Sequence, residues 1–83
     1  MYRVRILEDT FYENEYFNKK ENAVNRAKEL FTQLIYNDYW SGSIEKFDEN
    51  NGEFTYKEVM KNIETGDFYY DQWIEIEKIK TKD

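Results

Sequence analysis

The chain has 83 residues with no cysteine, no histidine and no proline, and its formal net charge is −6. That length sets a single domain, 1–83, close to the lower limit at which one core holds without a staple. Without cysteine there is neither a disulfide nor a thiolate metal site, and without histidine the usual general base and imidazole ligand are missing.

Aromatic residues supply the area that so short a chain otherwise lacks. Eight Tyr, six Phe and two Trp, each burying roughly 150 to 250 Å² when covered, are more rings than a core of this size encloses. A partly exposed, Tyr-rich surface is expected.

In chain order, Tyr2, Val4 and Ile6 alternate with Arg3 and Arg5, the period-2 pattern of a strand with one buried face. Glu8, Asp9 and Thr10 read as a turn. Residues 11–17 then return as a second strand, with Tyr12 and Tyr16 placed inward.

The next stretch, residues 18–37, has the clearest period in the chain. Ala23, Val24, Ala27, Leu30, Phe31, Leu34 and Ile35 fall at i, i+3, i+4 spacing on one side of a helix, opposite the polar Asn22, Arg26, Glu29 and Gln33. Asn18 and Glu21 have the spacing of a capping box, and Asn37 marks the end. Gly42 allows a chain reversal there, and Tyr39 and Trp40 read as a plug over the open end of the core.

Asn50-Asn51-Gly52 is a hairpin signal between residues 44–49 and 53–61. A three-residue loop sets Glu45 opposite Lys57, whereas a two-residue loop sets like charges opposite one another. Thr55 to Glu58 also reads as a capping box leading into Tyr56, Val59, Met60 and Ile63 at helical spacing, so a short helix competes with the strand. After a turn at residues 64–67, residues 68–79 read as one long strand. Its expected faces are Phe68, Tyr70, Ile74 and Ile76 inward, and Tyr69, Asp71, Trp73, Glu75 and Glu77 outward. Residues 81–83 read as a frayed tail.

The predicted architecture is an α+β two-layer sandwich of order ββαβββ, a mostly antiparallel sheet with one amphipathic helix packed on one face. Nothing remains in the chain to cover the other face.

No catalytic, cofactor or metal motif is present. Gly42, Gly52 and Gly66 are isolated in turns, and the acidic loop of Asp48, Glu49, Asn50 and Glu53 lacks the spacing of a calcium-binding hand. The predicted protein is therefore not an enzyme and carries no cofactor. Arg3, Arg5, Lys19, Lys20 and Arg26 are too few against the acidic total for direct nucleic-acid binding, and they have Glu13, Glu15 and Glu29 as partners. No apolar run is long enough to span a membrane, and the N-terminus opens on a strand pattern, so a cytoplasmic location in a bacterial host cell is expected.

Charge is uneven along the chain. Residues 1–41 hold six basic and seven acidic side chains, and residues 42–83 hold six basic and eleven acidic ones. The acidic half, with Tyr69 and Trp73 interleaved among carboxylates, predicts a protein-binding surface made of Glu45, Glu58, Tyr69, Asp71, Trp73, Glu75 and Glu77. A basic nucleic-acid channel on a host protein is the partner such a face fits.

The whole-chain profile, small, acidic, Tyr-rich, free of Cys and Pro and with AT-rich residue usage, resembles the accessory proteins of phages and mobile elements, among them anti-CRISPR and other anti-defence inhibitors. The resemblance implies a stoichiometric inhibitor that occupies the nucleic-acid site of a host nuclease complex. A small structural or regulatory subunit, homodimeric through an edge strand, is the competing expectation.

Overall fold

The computed structural model describes residues 1–7, 14–36, 43–51, 54–65, 67–71 and 73–80. It is a small α+β domain with strands β1 (Tyr2–Ile6), β2 (Asn14–Phe17), β3 (Phe68–Tyr70) and β4 (Ile74–Lys78), and helices α1 (Lys20–Leu34), α2 (Ile44–Asn51) and α3 (Tyr56–Thr65). The strands form one antiparallel sheet in the order β2-β1-β4-β3. Among the described residues the expected order ββαβββ is thus corrected to ββαααββ, with three helices where one was expected.

The α1 stripe is as the period predicts. Ala23, Val24, Ala27, Leu30, Phe31 and Leu34 are buried, and they meet Val4, Ile74 and Ile76 of the two central strands in one core. Its start differs. Lys19, not Asn18, takes the N-cap position with an extended backbone (φ −108°, ψ 136°), and no side chain caps it. The chain leaving β2 stays extended one residue longer than a box on Asn18 and Glu21 requires.

Residues 44–49 and 56–61 do not pair as strands, so Glu45 does not face Lys57. Alternation at 44–49 would leave no apolar face on either side, whereas helical spacing brings Ile44 and Phe47 together, with Phe47 fully buried. The α2 start is marked by Ser43, whose Oγ accepts from the Lys46 N–H at 3.3 Å.

For α3 the capping box prevails. The Thr55 N–H donates to Glu58 Oε1 at 3.0 Å, and the Glu58 N–H donates to Thr55 Oγ1 at 3.2 Å. Asp48 on α2 adds a third link, accepting from the Tyr56 N–H at 2.7 Å. Val59 and Ile63 are buried behind this cap.

The bonds from Thr55 hold the Glu58 carboxyl below its ordinary pKa. A lowered folded-state pKa contributes stability above the unfolded carboxylate range, and that contribution is lost as pH falls through the folded value. Glu58→Gln is therefore expected to lower the melting temperature at neutral pH and to match the unsubstituted chain in acid. Thermal melts across pH test this, and a difference that grows on acidification would contradict the assignment.

Aromatic rings join the layers. Phe31 lies edge-on to Phe47 at 5.5 Å and stacks on Tyr56 at 5.8 Å, while Trp73 meets Phe47 at 5.1 Å. The Tyr56 hydroxyl shares a hydrogen bond with Thr32 at 2.7 Å, tying α3 to α1.

The long closing strand is corrected to a hairpin. Asp71, 7% exposed, breaks it: its Oδ1 accepts from the N–H groups of Trp73 (2.6 Å) and Ile74 (2.8 Å), and its Oδ2 accepts from the Tyr69 hydroxyl at 2.8 Å. The expected turn at Glu8 to Thr10, the position of Tyr12, the Tyr39 and Trp40 plug, Gly42, Gly52, Gly66 and the tail at 81–83 lie outside the described residues.

Candidate functional site

Two surfaces stand out, and they differ in charge. The first is the face of the sheet turned away from the helices. Alternation from the buried Val4, Ile74 and Ile76 places Arg3 and Arg5 of β1 on this face with Glu75 and Glu77 of β4. They form a ladder: Arg3 Nη2 lies 2.8 Å from Glu75 Oε1 and 2.6 Å from Glu77 Oε2, and Arg5 Nε lies 2.8 Å from Glu75 Oε1. Two cations meet two anions, so the ladder carries no net charge.

Exposed rings flank it. Tyr16 on β2 is 53% exposed, and Phe68 and Tyr70 on β3 are 60% and 58% exposed. Tyr16, expected inward, is corrected to this face. Its partner in the β1–β2 register is Arg3, while Phe17, opposite Tyr2, packs against the core. Phe68 and Tyr70, also expected inward, are corrected in the same way, lying opposite Glu77 and Glu75.

The second surface is the α2–α3 pair. Residues 44–65 hold six acidic and three basic side chains, half of the chain's net charge of −6. Glu45, Asp48, Glu49 and Glu58 are all exposed there, together with Phe54 at 41%. Ion pairs offset the charge less here than on the sheet, the described one being Glu64 with Lys28 of α1.

The sequence-predicted surface residues are therefore divided. Glu45 and Glu58 sit on α2 and α3. Glu75 and Glu77 lie on the sheet's open face, where Glu75 is buried under the arginines. Trp73, expected outward, is 7% exposed among Phe31 and Phe47, and Asp71 is held inside its turn. Tyr69, also expected outward, packs against the core opposite Ile76. Missed by that reading were Tyr16, Phe68, Tyr70 and Phe54. For Phe68 and Tyr70 an Asp inside an apparent strand was the available signal, because a turn there exchanges the faces.

The pairing of cations with nearby carboxylates holds for Arg26, whose Nε donates to Glu15 at 3.0 Å and whose Nη1 donates to Glu29 at 2.6 Å. Glu15 and Glu29 raise the Arg26 pKa further. A shallow groove of about 710 Å³ runs past the start of α1, lined by Lys19, Lys20, Lys28 and Glu64 among others. Two of its cations are engaged, Lys28 with Glu64 and Lys20 with Asp67 at 3.7 Å.

Among the described residues no group of acidic, His or Cys side chains is placed to hold a metal ion, and no helix is long and apolar enough to cross a membrane. Compared with protein-family models, curated proteins and solved structures, the chain matches none. The class that fold and surfaces define is a small α+β domain with one neutral, aromatic-rimmed sheet face and one acidic helical face.

Proposed function

We propose that this chain is a non-enzymatic protein-binding module that occupies a basic, nucleic-acid-binding surface of another protein, and that it docks through the α2–α3 pair. The observation that carries this reading is where, among the described residues, the negative charge is left without an ion pair. Glu75 and Glu77 are tied to Arg3 and Arg5, whereas Glu45 and Glu49 are exposed one helical turn apart on α2, and Phe54, just before α3, is exposed as well. A Lys/Arg-lined channel is attracted to such a surface, and an exposed ring supplies an anchor that salt does not screen.

An inhibitor of a nuclease or defence complex, carried by a phage or mobile element and acting inside the host cell, is the setting in which this mimicry has use. There the carboxylates take the place of phosphates.

The test is capture of a partner from a lysate of the organism that carries the chain, followed by competition with duplex DNA and with RNA. Nucleic acid is expected to displace the chain, and the paired reversal Glu45→Lys with Glu49→Lys is expected to slow association by about tenfold or more at low salt. Simultaneous binding of nucleic acid and this chain, each with undiminished affinity, would end the mimicry reading.

A further inference from the structure

The open face of the sheet has an order of its own, independent of the acidic helices. Read across the strands in register, it consists of two rows: Tyr16, Arg3, Glu77, Phe68 and Asn14, Arg5, Glu75, Tyr70. Each row has a sense, with its cation on the β2 side of the midline and its anion on the β3 side. The midline lies between β1 and β4.

A second copy can be laid on this face about 10 Å away, the spacing of packed sheets, with its two-fold axis parallel to the strands along that midline. This operation places β1 over β4 and β2 over β3. Arg3 of one copy then faces the more exposed Glu77 of the other and Tyr16 faces Phe68, while Arg5 lies over the register position of Glu75, which its own arginines cover. A two-fold axis across the strands would instead set arginine over arginine. The pattern is thus self-complementary for one of the two face-to-face arrangements.

Charge singles out the same face. Two chains of −6 repel one another over most of their surfaces, but on this face each contributes two cations and two anions. Rings at both margins, 53% to 60% exposed, supply the apolar contact.

We propose that the open sheet face is a homodimer interface, two copies stacking face to face about an axis parallel to the strands. Four strands at about 4.8 Å spacing span roughly 19 Å. With strands of about four residues at about 3.4 Å each, roughly 14 Å long, the face covers roughly 270 Å², below the roughly 800 Å² per partner of a standard interface, so the dimer is a weak, concentration-dependent one.

Sedimentation equilibrium between about 10 μM and 1 mM, the range that so small an interface calls for, is the test. The unsubstituted chain is expected to dimerise within it. Phe68→Ser, which removes an exposed ring, should raise the dissociation constant at least about tenfold with an unchanged circular dichroism spectrum. The paired reversal on α2 should leave dimerisation intact, which separates this interface from the proposed docking surface.

A quadruple exchange, Arg3→Glu, Arg5→Glu, Glu75→Arg and Glu77→Arg, keeps the ladder paired within each chain. It should self-associate yet form no mixed dimers with the unsubstituted chain, because mixing opposes like charges. A monomer throughout the range, a Phe68→Ser dimer as tight as the original, or free mixing of the exchanged and unsubstituted chains would each overturn the proposal. Should the exchanged chain fail to fold, the first two measurements decide.

Discussion

Trp73→Ala is expected to lower the stability of the domain by about 3 to 5 kcal/mol, a large share of the roughly 4 to 12 kcal/mol available to a chain of this length. The indole is 7% exposed, with ring centroids 5.1 Å from Phe47 and 6.3 Å from Phe31. Removing it opens a void where α1, α2 and the start of β4 meet, and neighbouring rings cannot close it without leaving their own contacts. For a domain of this size the loss corresponds to a fall in melting temperature of about 15 to 30 °C. Trp73→Phe, which keeps most of the volume, should cost about 1 to 2 kcal/mol. Thermal and urea denaturation of both variants make the measurement. An unchanged melting temperature for Trp73→Ala would return the ring to the surface, where a role as a partner anchor needs it.

What the sequence made legible was decided by period, and what it hid was decided by register. The α1 stripe is written in seven apolar residues at helical spacing, and β1 in three residues that alternate with arginine; both are found as read. The pairing of β3 with β4 is not written locally. Phe68 pairs with Glu77 and Tyr70 with Glu75, so even-numbered residues of one strand share a face with odd-numbered residues of the other. A continuous strand keeps parity, and a turn at Asp71 breaks it. The same inversion joins Arg3 to Tyr16 across β1 and β2. One unrecognised turn thus moved Phe68 and Tyr70 to the surface and Tyr69 to the core.

The α2–α3 region shows a different failure, a strong local signal overruled by two others. Asn50-Asn51-Gly52 favours a hairpin, but the caps at Ser43 and Thr55 and the burial of Phe47, Val59 and Ile63 all favour helices. Summed over two helices, caps and burial outweigh one turn preference. The acidic surface depended on that outcome, because helices expose Glu45, Asp48, Glu49 and Glu58 together.

Glu75→Ala is the second large loss, expected at about 2 to 4 kcal/mol when measured at concentrations where the chain is monomeric. Glu75 is 5% exposed and stands between Arg3 and Arg5, each at 2.8 Å. Its removal leaves two arginines, with side chains 22% and 29% exposed, to share Glu77. A fully buried pair broken on one side costs about 3 to 5 kcal/mol, and an exposed pair about 0 to 1; the partial exposure of the arginines sets the expectation between those limits. Asp67 is the internal comparison. It lies 3.7 Å from Lys20, with side chains 59% and 40% exposed, so Asp67→Ala should change stability by less than about 0.5 kcal/mol. A double-mutant cycle with Arg5→Ala isolates the pair itself and should give a coupling of about 1 to 2 kcal/mol. If Glu75→Ala proves no more costly than Asp67→Ala, water reaches the ladder freely, and the open face is held by its strands and rings rather than by its charges.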